Sequence, residues 1–294
     1  MKILVTGASG FLGRHVVRRL QQDGFDVTGF DLVKTDDQEL RFITGDLRDA
    51  EQVSAAVLGN DVVCHIGAIG DVYLAAEQPS LAAEVNVGGT SHIADAAVAA
   101  GARVVYASTW EVYGDVHYEP IDEDHPRDPD HPYNITKLGG ESMLLAAGRL
   151  RDLSMLALRL GTAYGSGLRP NSVFRLFIDR ARRGEPIKIL GDGLQSRQFV
   201  HASDIARAFS MACVSDATGM ALNTVAEEPI SIKELAEAVV ARFPTQIEHG
   251  PSRPGDVPPA LISSRRIGEV LGWKPRVSFT EGLSELMESV TDQV

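Results

Sequence analysis

At 294 residues, 44% of them hydrophobic, the chain is long enough for one large α/β unit or for a nucleotide-binding domain with a smaller second lobe, which rules out a disordered or fibrous polymer. Its 40 acidic and 28 basic side chains leave a formal charge of -12 spread along the chain, so no nucleic-acid or membrane partner is expected, and an anionic substrate needs a local arginine pocket. The opening MKILVTGASG lacks the marks of a secretory signal, and Cys64 and Cys213 stand in apolar settings without metal-ligand spacing, so a cytoplasmic chain with reduced core thiols and no metal is expected.

The first expected strand, Lys2 to Thr6, runs into Thr6-Gly7-Ala8-Ser9-Gly10-Phe11-Leu12-Gly13, and a helix from Gly10 to Asp23 follows. A glycine loop between strand and helix cradles phosphate, which makes Gly7, Gly10, Phe11, Leu12 and Gly13 candidate dinucleotide-binding residues. Gly7 permits the tight turn, Gly10 lets backbone approach a pyrophosphate, and Gly13 lets helix pack closely on strand. The second strand, Asp26 to Phe30, ends at Asp31, an acid placed to bond ribose hydroxyls and repel a 2′-phosphate. This favours NAD over NADP, although Lys34 stands close enough in sequence to pair with a phosphate.

Strand Arg41 to Thr44, helix Ala50 to Leu58, strand Val62 to Ile66, helix Ser80 to Ala100 and strand Arg103 to Ala107 continue the alternation. Such βα units build a doubly wound parallel sheet. The stretch Glu119 to His131, EPIDEDHPRDPDH, reads as a surface loop with His125 and His131 as loop residues. Helix Asn134 to Leu150 and strand Met155 to Arg159 come next; then GTAYGSGLRPNS forms a glycine-rich connection, and helices follow at Ser203 to Val214, Ser231 to Arg242 and Thr280 to Ser289. Residues 1–160 are expected to form the dinucleotide-binding domain and 161–294 a smaller C-terminal α/β substrate lobe, from which about 187–215 returns to the first domain.

Tyr133 and Lys137 are one helical turn apart, so both project from one helix face. A free tyrosine titrates near 10, so a phenolate base at neutral pH needs about 4 kcal/mol of differential stabilisation, which Lys137 and a positive nicotinamide ring can supply. Upstream, the strand runs on as Ser108-Thr109-Trp110-Glu111-Val112-Tyr113-Gly114, beyond the carboxyl strand end where ligands of open α/β sheets bind. The glycine spacing TGxxGxxG, this segment and the YxxxK pair resemble the extended short-chain dehydrogenase/reductases of the NAD-dependent epimerase/dehydratase type. The resemblance implies a Rossmann-type fold, NAD as cofactor, Asp46 and Leu47 beside the adenine, and Asn86 as a helix-borne asparagine of the cofactor site. It also implies a catalytic triad: Thr109 bonds the reacting sugar oxygen, Tyr133 exchanges its proton, and Lys137 holds the nicotinamide ribose and depresses the tyrosine pKa.

Leu190 to His201, LGDGLQSRQFVH, is similar to the GDGxQxRDF segment of nucleotide-sugar epimerases and dehydratases. By that likeness Arg197 reaches a substrate diphosphate, and Arg253, in Arg253-Pro254-Gly255-Asp256, meets it from the opposite side with the same planar fork of donors. Leu271-Gly272-Trp273-Lys274-Pro275 and the helix after it extend the resemblance over essentially the whole chain.

Three departures bear on the reaction. Sugar-nucleotide 4,6-dehydratases carry an Asp-Glu pair where this chain has Trp110-Glu111, and one carboxylate cannot easily be both acid and base of a concerted water elimination. Thr162 stands where many members have a substrate-contacting asparagine, and Gln198 replaces the usual aspartate after the arginine. With Ser108, Thr109, Trp110, Glu111 and Thr162 around the sugar, the expected activity is 4-epimerisation of a nucleotide sugar, a UDP-sugar of the glucose/galactose or uronic-acid type being favoured. Net oxidation or reduction uses the same triad and stays open, as does a dinucleotide-sensing protein on the same fold. A homodimer is implied by resemblance, with Ala94 to Ala100 and Leu144 to Ala147 apolar enough to join two copies.

Overall fold

The structure, a computed structural model, describes residues 1–35, 37–251 and 260–291. The first half runs β1 (Lys2–Thr6), α1 (Phe11–Gln22), β2 (Asp26–Asp31), β3 (Arg41–Thr44), α2 (Ala50–Val57), β4 (Val62–His65), α3 (Val72–Glu77), α4 (Pro79–Ala83), a π-helical turn (Glu84–Gly89) and α5 (Thr90–Ala100). Next come β5 (Arg103–Thr109), a short 3-10 turn (Trp110–Tyr113), α6 (Pro132–Arg151), β6 (Met155–Leu160), β7 (Thr162–Tyr164), α7 (Val173–Arg182), β8 (Ile187–Leu190), β9 (Ser196–Arg197) and β10 (Phe199–His201). The chain ends with α8 (Ala202–Val214), β11 (Met220–Thr224), β12 (Ile230–Ser231), α9 (Ile232–Arg242), β13 (Ile247–Gly250), α10 (Arg265–Leu271) and α11 (Phe279–Thr291).

Seven strands form one parallel sheet in the order β11-β6-β5-β4-β1-β2-β3. The chain builds outward from β1 to β3, then crosses back to β4 on the other side of β1. That reversal opens a crevice at the carboxyl ends of β1 and β4, where loops leave in opposite directions. Successive strand residues serve opposite faces: Val5, Cys64 and Val105 pack with α1 and α8, while Leu4, Val63 and Val104 pack with α2, α5 and α6. Because both faces are covered, β4 and β6 are buried along their whole length, and apart from His65 and Arg159 they are apolar. Cys64 and Cys213 meet as free, buried thiols where β4 faces α8, their Sγ atoms 3.4 Å apart.

The six strands expected up to Arg159 match the observed ones to within two residues at each end. The single helix expected from Ser80 to Ala100 is instead two α-helices, α4 and α5, joined by the π-helical turn at Glu84–Gly89. Side-chain hydroxyls occupy the carbonyls there: Thr90 donates to the Asn86 carbonyl at 2.6 Å and Ser91 to that of Val87 at 2.9 Å. The loop after β5 is no simple surface loop. Ile121 is fully buried and bridges Ile262, and His125, 1% exposed, accepts the His117 N–H on Nε2 at 3.0 Å while its Nδ1 donates to the Pro126 carbonyl at 2.7 Å.

The lobe has its own core, in which Tyr164 stacks on Phe174 with centroids 5.0 Å apart and Phe199 meets Phe174 edge-on at 4.8 Å. Within the segment 187–215, Ile187–Leu190 pairs with Ile247–Gly250, whereas α8 packs on α1; β11 then joins the sheet beside β6. In the segments expected to join two copies, Ala94, Ala97, Leu144 and Ala147 are buried in the core under the sheet, whereas Ala99 is exposed and Val98, Leu145 and Ala146 are half-buried. Among the described residues no helix is long and apolar enough to cross a membrane.

Candidate active site

A cavity of about 780 Å³ lies over the carboxyl ends of β1, β4, β5 and β6. At its β1 end the glycine loop turns with Gly7 at φ +69°, its α-carbon so close to Gly67 that an added Cβ would stand 2.7 Å from it. A Cβ on Gly13 would stand 1.9 Å from the Gly7 carbonyl oxygen, so only glycine lets α1 start this near the strand. Helix α1 has no side-chain cap and no acid in its first turn, which leaves its leading N–H groups to face an anion in the cavity. Asp31 anchors the same loop: Oδ2 accepts the Ser9 N–H at 3.0 Å and Oδ1 that of Leu32 at 2.7 Å. Farther along, Asp46 is gripped by Arg48 through a two-pronged ion pair, which holds its carboxyl below the usual range.

The β5–α6 wall carries the residues expected to do acid–base chemistry. Thr109 ends β5 and caps the 3-10 turn by accepting the Glu111 N–H at 3.3 Å. Helix α6 starts at Pro132, with His131 as N-cap accepting the Tyr133 N–H, and so delivers Tyr133 and Lys137 to the cavity on successive turns. Lys137 is almost wholly buried, its Nζ 4.2 Å over the Tyr106 ring. Burial drives the ammonium down to about 7, and the Glu141 carboxylate opposes that drop. Burial also raises the Tyr133 phenol well above its ordinary value; the nearby Glu111 charge adds to this and Arg169 works against it. Glu111 itself is pushed up by burial, with Arg197 opposing. In the free protein Tyr133 is therefore a neutral phenol, and the charge of Lys137 alone does not make it a base.

Beneath this wall runs a chain of hydrogen bonds whose direction is set. The Thr6 hydroxyl oxygen accepts the N–H groups of Ile66 and Gly67, so its proton goes to His65 Nδ1 at 2.8 Å. The Nε2–H of His65 then donates to Thr90 at 3.0 Å, and Thr90 donates to the Asn86 carbonyl. Burial, with Lys137 adding to it, lowers His65 to about 3, so the ring stays neutral.

The family model of the NAD-dependent epimerases/dehydratases matches residues 3–223. The chain belongs to that family. It is 32% identical to the UDP-glucose 4-epimerase of Mycolicibacterium smegmatis, with 98% of each chain covered. It is 29% identical to the dTDP-glucose 4,6-dehydratase of Streptomyces niveus over 99% of this chain and 93% of that one. Among solved structures, MoeE5 in complex with UDP-glucuronic acid and NAD superposes with a TM-score of 0.93 at 34% identity, both chains fully covered at 100%. NAD is the cofactor of this family, and the glycine cradle, the uncapped start of α1 and the Asp31 carboxylate fit its pyrophosphate and ribose.

For a member of this family, the cavity brings together most of the residues read from the sequence: the three loop glycines with Phe11 and Leu12, Asp31, Asp46, Leu47, the Ser108–Glu111 run, Tyr133, Lys137 and Thr162. Asn86 is not among its lining residues. Its Oδ1 accepts the Ile69 N–H at 2.7 Å and its amide donates to Thr136 at 3.0 Å, so it clamps the loop after β4 onto α6. Ser108 lines the cavity while its hydroxyl donates to Glu141. Arg197 stands outside the lining and faces Glu111, while Arg253 lies outside the described residues. Gln198 is structural: its amide donates to the Ala226 and Ile262 carbonyls and its oxygen accepts the Ile262 N–H at 2.7 Å, a donor–acceptor pairing that an aspartate cannot make. Sequence reading missed Glu141 and Arg169. The first stands one turn beyond Lys137, a spacing that points to it, whereas Arg169 lies in the irregular connection with no pattern to mark it.

Proposed function

We propose that the protein is an NAD-dependent nucleotide-sugar 4-epimerase acting on a UDP-sugar of the glucose/galactose or uronic-acid type through a transient 4-keto sugar. One observation carries this reading: Thr109, Tyr133 and Lys137 share a cavity wall with Glu111, and the residue beside that carboxylate on the wall is Trp110, an indole otherwise buried at 6% exposure. The triad for hydride chemistry is complete, and the second carboxylate of a dehydratase is replaced by an indole that cannot carry protons.

When bound, NAD supplies a hydride acceptor that is regenerated when the hydride returns to the other face of the sugar. Asp31 takes the adenosine ribose hydroxyls, and Asp46 with Leu47 borders the adenine. Lys137 holds the nicotinamide ribose, Thr109 holds the reacting oxygen, and Tyr133 moves its proton. Burial raises the Tyr133 phenol, so the positive charge of bound NAD and of Lys137 is what would let it act as the base. Thr162 and Glu111 border the sugar, and Arg197 with Arg253 takes the diphosphate, Arg197 also balancing Glu111.

The test is to follow a panel of UDP- and dTDP-hexoses and UDP-hexuronic acids by chromatography with the purified protein and no added cofactor. Interconversion of C4 epimers is expected. Stoichiometric NADH on adding NAD would replace this reading with a dehydrogenase, and a 4-keto-6-deoxy product with a dehydratase.

A further inference from the structure

Glu141 lies one turn beyond Lys137 on the face of α6 that carries Tyr133, and it is fully buried. A carboxylate removed from water has to find donors, and this one finds several. Arg159 grips it as a fork, Nη2 to Oε1 at 2.6 Å and Nε to Oε2 at 3.2 Å, and the Ser108 hydroxyl donates to Oε2 at 2.6 Å. Arg159 is itself fixed, its Nη1 donating at 2.7 Å to the Tyr113 hydroxyl, which donates to Asn223 Oδ1 at 2.6 Å. One side chain of the catalytic helix is thus tied to β5, β6 and β11 together. The β5 residue it holds, Ser108, immediately precedes Thr109.

We propose that Glu141 is a positioning residue of the active site: its carboxylate sets the end of β5 that carries Thr109 against the turn of α6 that presents Lys137, and it is the counter-charge that keeps the lysine an ammonium. The groups facing Lys137 from its surroundings support this. From β4 comes His65, neutral in its fixed hydrogen-bond chain; from β5 comes the Tyr106 ring, whose buried phenol stays protonated; from α6 itself come Tyr133 and Glu141. Glu141 is the one carboxylate among these. It is approached by Arg159 from β6 and, at 3.9 Å, by Arg127 from the loop after β5. Burial pulls Arg159 down, but its bonds to Glu141 outweigh this and hold it firmly charged. The same carboxylate that Arg159 forks also opposes the effect of burial on Lys137.

This inference rests on the roles given above to Thr109, Tyr133 and Lys137, and its first readout needs only cofactor, so its failure is separable from a failure of the epimerase reading. NAD affinity is titrated calorimetrically across pH for the full chain and for Glu141→Gln, which keeps the shape and removes the charge. In the wild type the affinity is expected to change through a midpoint near the Lys137 value of about 7. In the variant that midpoint is expected to move down by about one pH unit or more, and Glu141→Asp, with the charge kept, restores most of it. An unmoved midpoint in a folded Glu141→Gln protein, or a wild-type affinity with no midpoint in this range, overturns the proposal. Should the glutamine variant not fold, Ser108→Ala removes only the link to β5. Its expected signature is a kcat several-fold lower at unchanged KM for whichever nucleotide sugar the wild type turns over, and an unchanged kcat overturns the positioning role.

Discussion

On the sheet side of the cavity, each chemistry-bearing side chain sits within a few residues of a strand's carboxyl end or on the first turns of the helix that faces it. Gly7 follows β1, Asp31 ends β2, Thr109 ends β5, and Tyr133 opens α6. On the lobe side the supports are two-residue strands and side-chain clamps between distant segments: Ser196–Arg197 pairs with Ile230–Ser231, and Gln198 holds Ile262 across 64 residues of chain. The first side is placed by a parallel ladder buried on both faces. The second depends on contacts that exist only once the fold has closed. Chemistry is therefore expected to fail through single groups on the sheet side, and stability through the clamps on the lobe side.

The sharpest test of the sheet side is Tyr133→Phe. Removing the proton-transferring hydroxyl from an otherwise unchanged wall is expected to lower turnover by about a hundred- to ten-thousandfold. NAD affinity, measured by calorimetry, is expected to stay within about threefold because the cradle is untouched. Turnover within a factor of ten of the wild type would remove Tyr133 from the mechanism.

On the lobe side, Gln198→Leu leaves the Ala226 and Ile262 carbonyls and the Ile262 N–H without their amide partner in a buried setting. A loss of about 2–4 kcal/mol is expected from those groups together, read as a shift of the urea midpoint at constant slope. A loss below about 1 kcal/mol would show that the loop carrying Ile262 is held by something other than this clamp.

The same contrast explains what the sequence made legible. Strands β1, β4, β5 and β6 announce themselves because burial on both faces demands largely apolar runs, and the glycine loop because φ +69° at Gly7 and the crowding at Gly13 admit no other residue. Asn86 and Ser108 each have a polar group that looks free in one dimension and is committed in three, to Ile69 and Thr136 in one case and to Glu141 in the other. Glu141 went unread because its meaning comes from Arg159, 18 residues away, and Ser108, 33 away. The π-helical turn was invisible to periodicity, since hydroxyl-to-carbonyl bonds and not apolar spacing mark it.

Asp31→Asn should have a smaller effect, on cofactor choice. The amide oxygen keeps the bond to the Ser9 N–H while the negative charge that repels a 2′-phosphate is gone. The affinity ratio of NADP to NAD is expected to rise about tenfold, equivalent to about 1.4 kcal/mol. An unchanged ratio would assign the discrimination to another residue, Lys34 being the nearest cation in sequence.

The smallest effect is expected where the two sides meet. Arg169, from the connection after β7, pairs with Asp71 at 3.1 Å and donates to the Gly70 carbonyl, so it joins the lobe to the loop that follows β4. With side-chain exposures of 53% and 25% the pair is screened by water, and Asp71 keeps its capping bonds to Tyr73 and Leu74 without it. Arg169→Gln is therefore expected to cost less than about 1 kcal/mol of stability. Its trace should appear in catalysis. Burial and Glu111 raise the Tyr133 phenol while the Arg169 guanidinium opposes them, so removing that charge raises the phenol further. Activity that requires the phenolate is lost as pH falls through its pKa, so the acid limb of the turnover profile should move to higher pH. A large stability loss with an unmoved limb would mean that the two sides are joined through Arg169 after all, and that its charge does not reach the tyrosine.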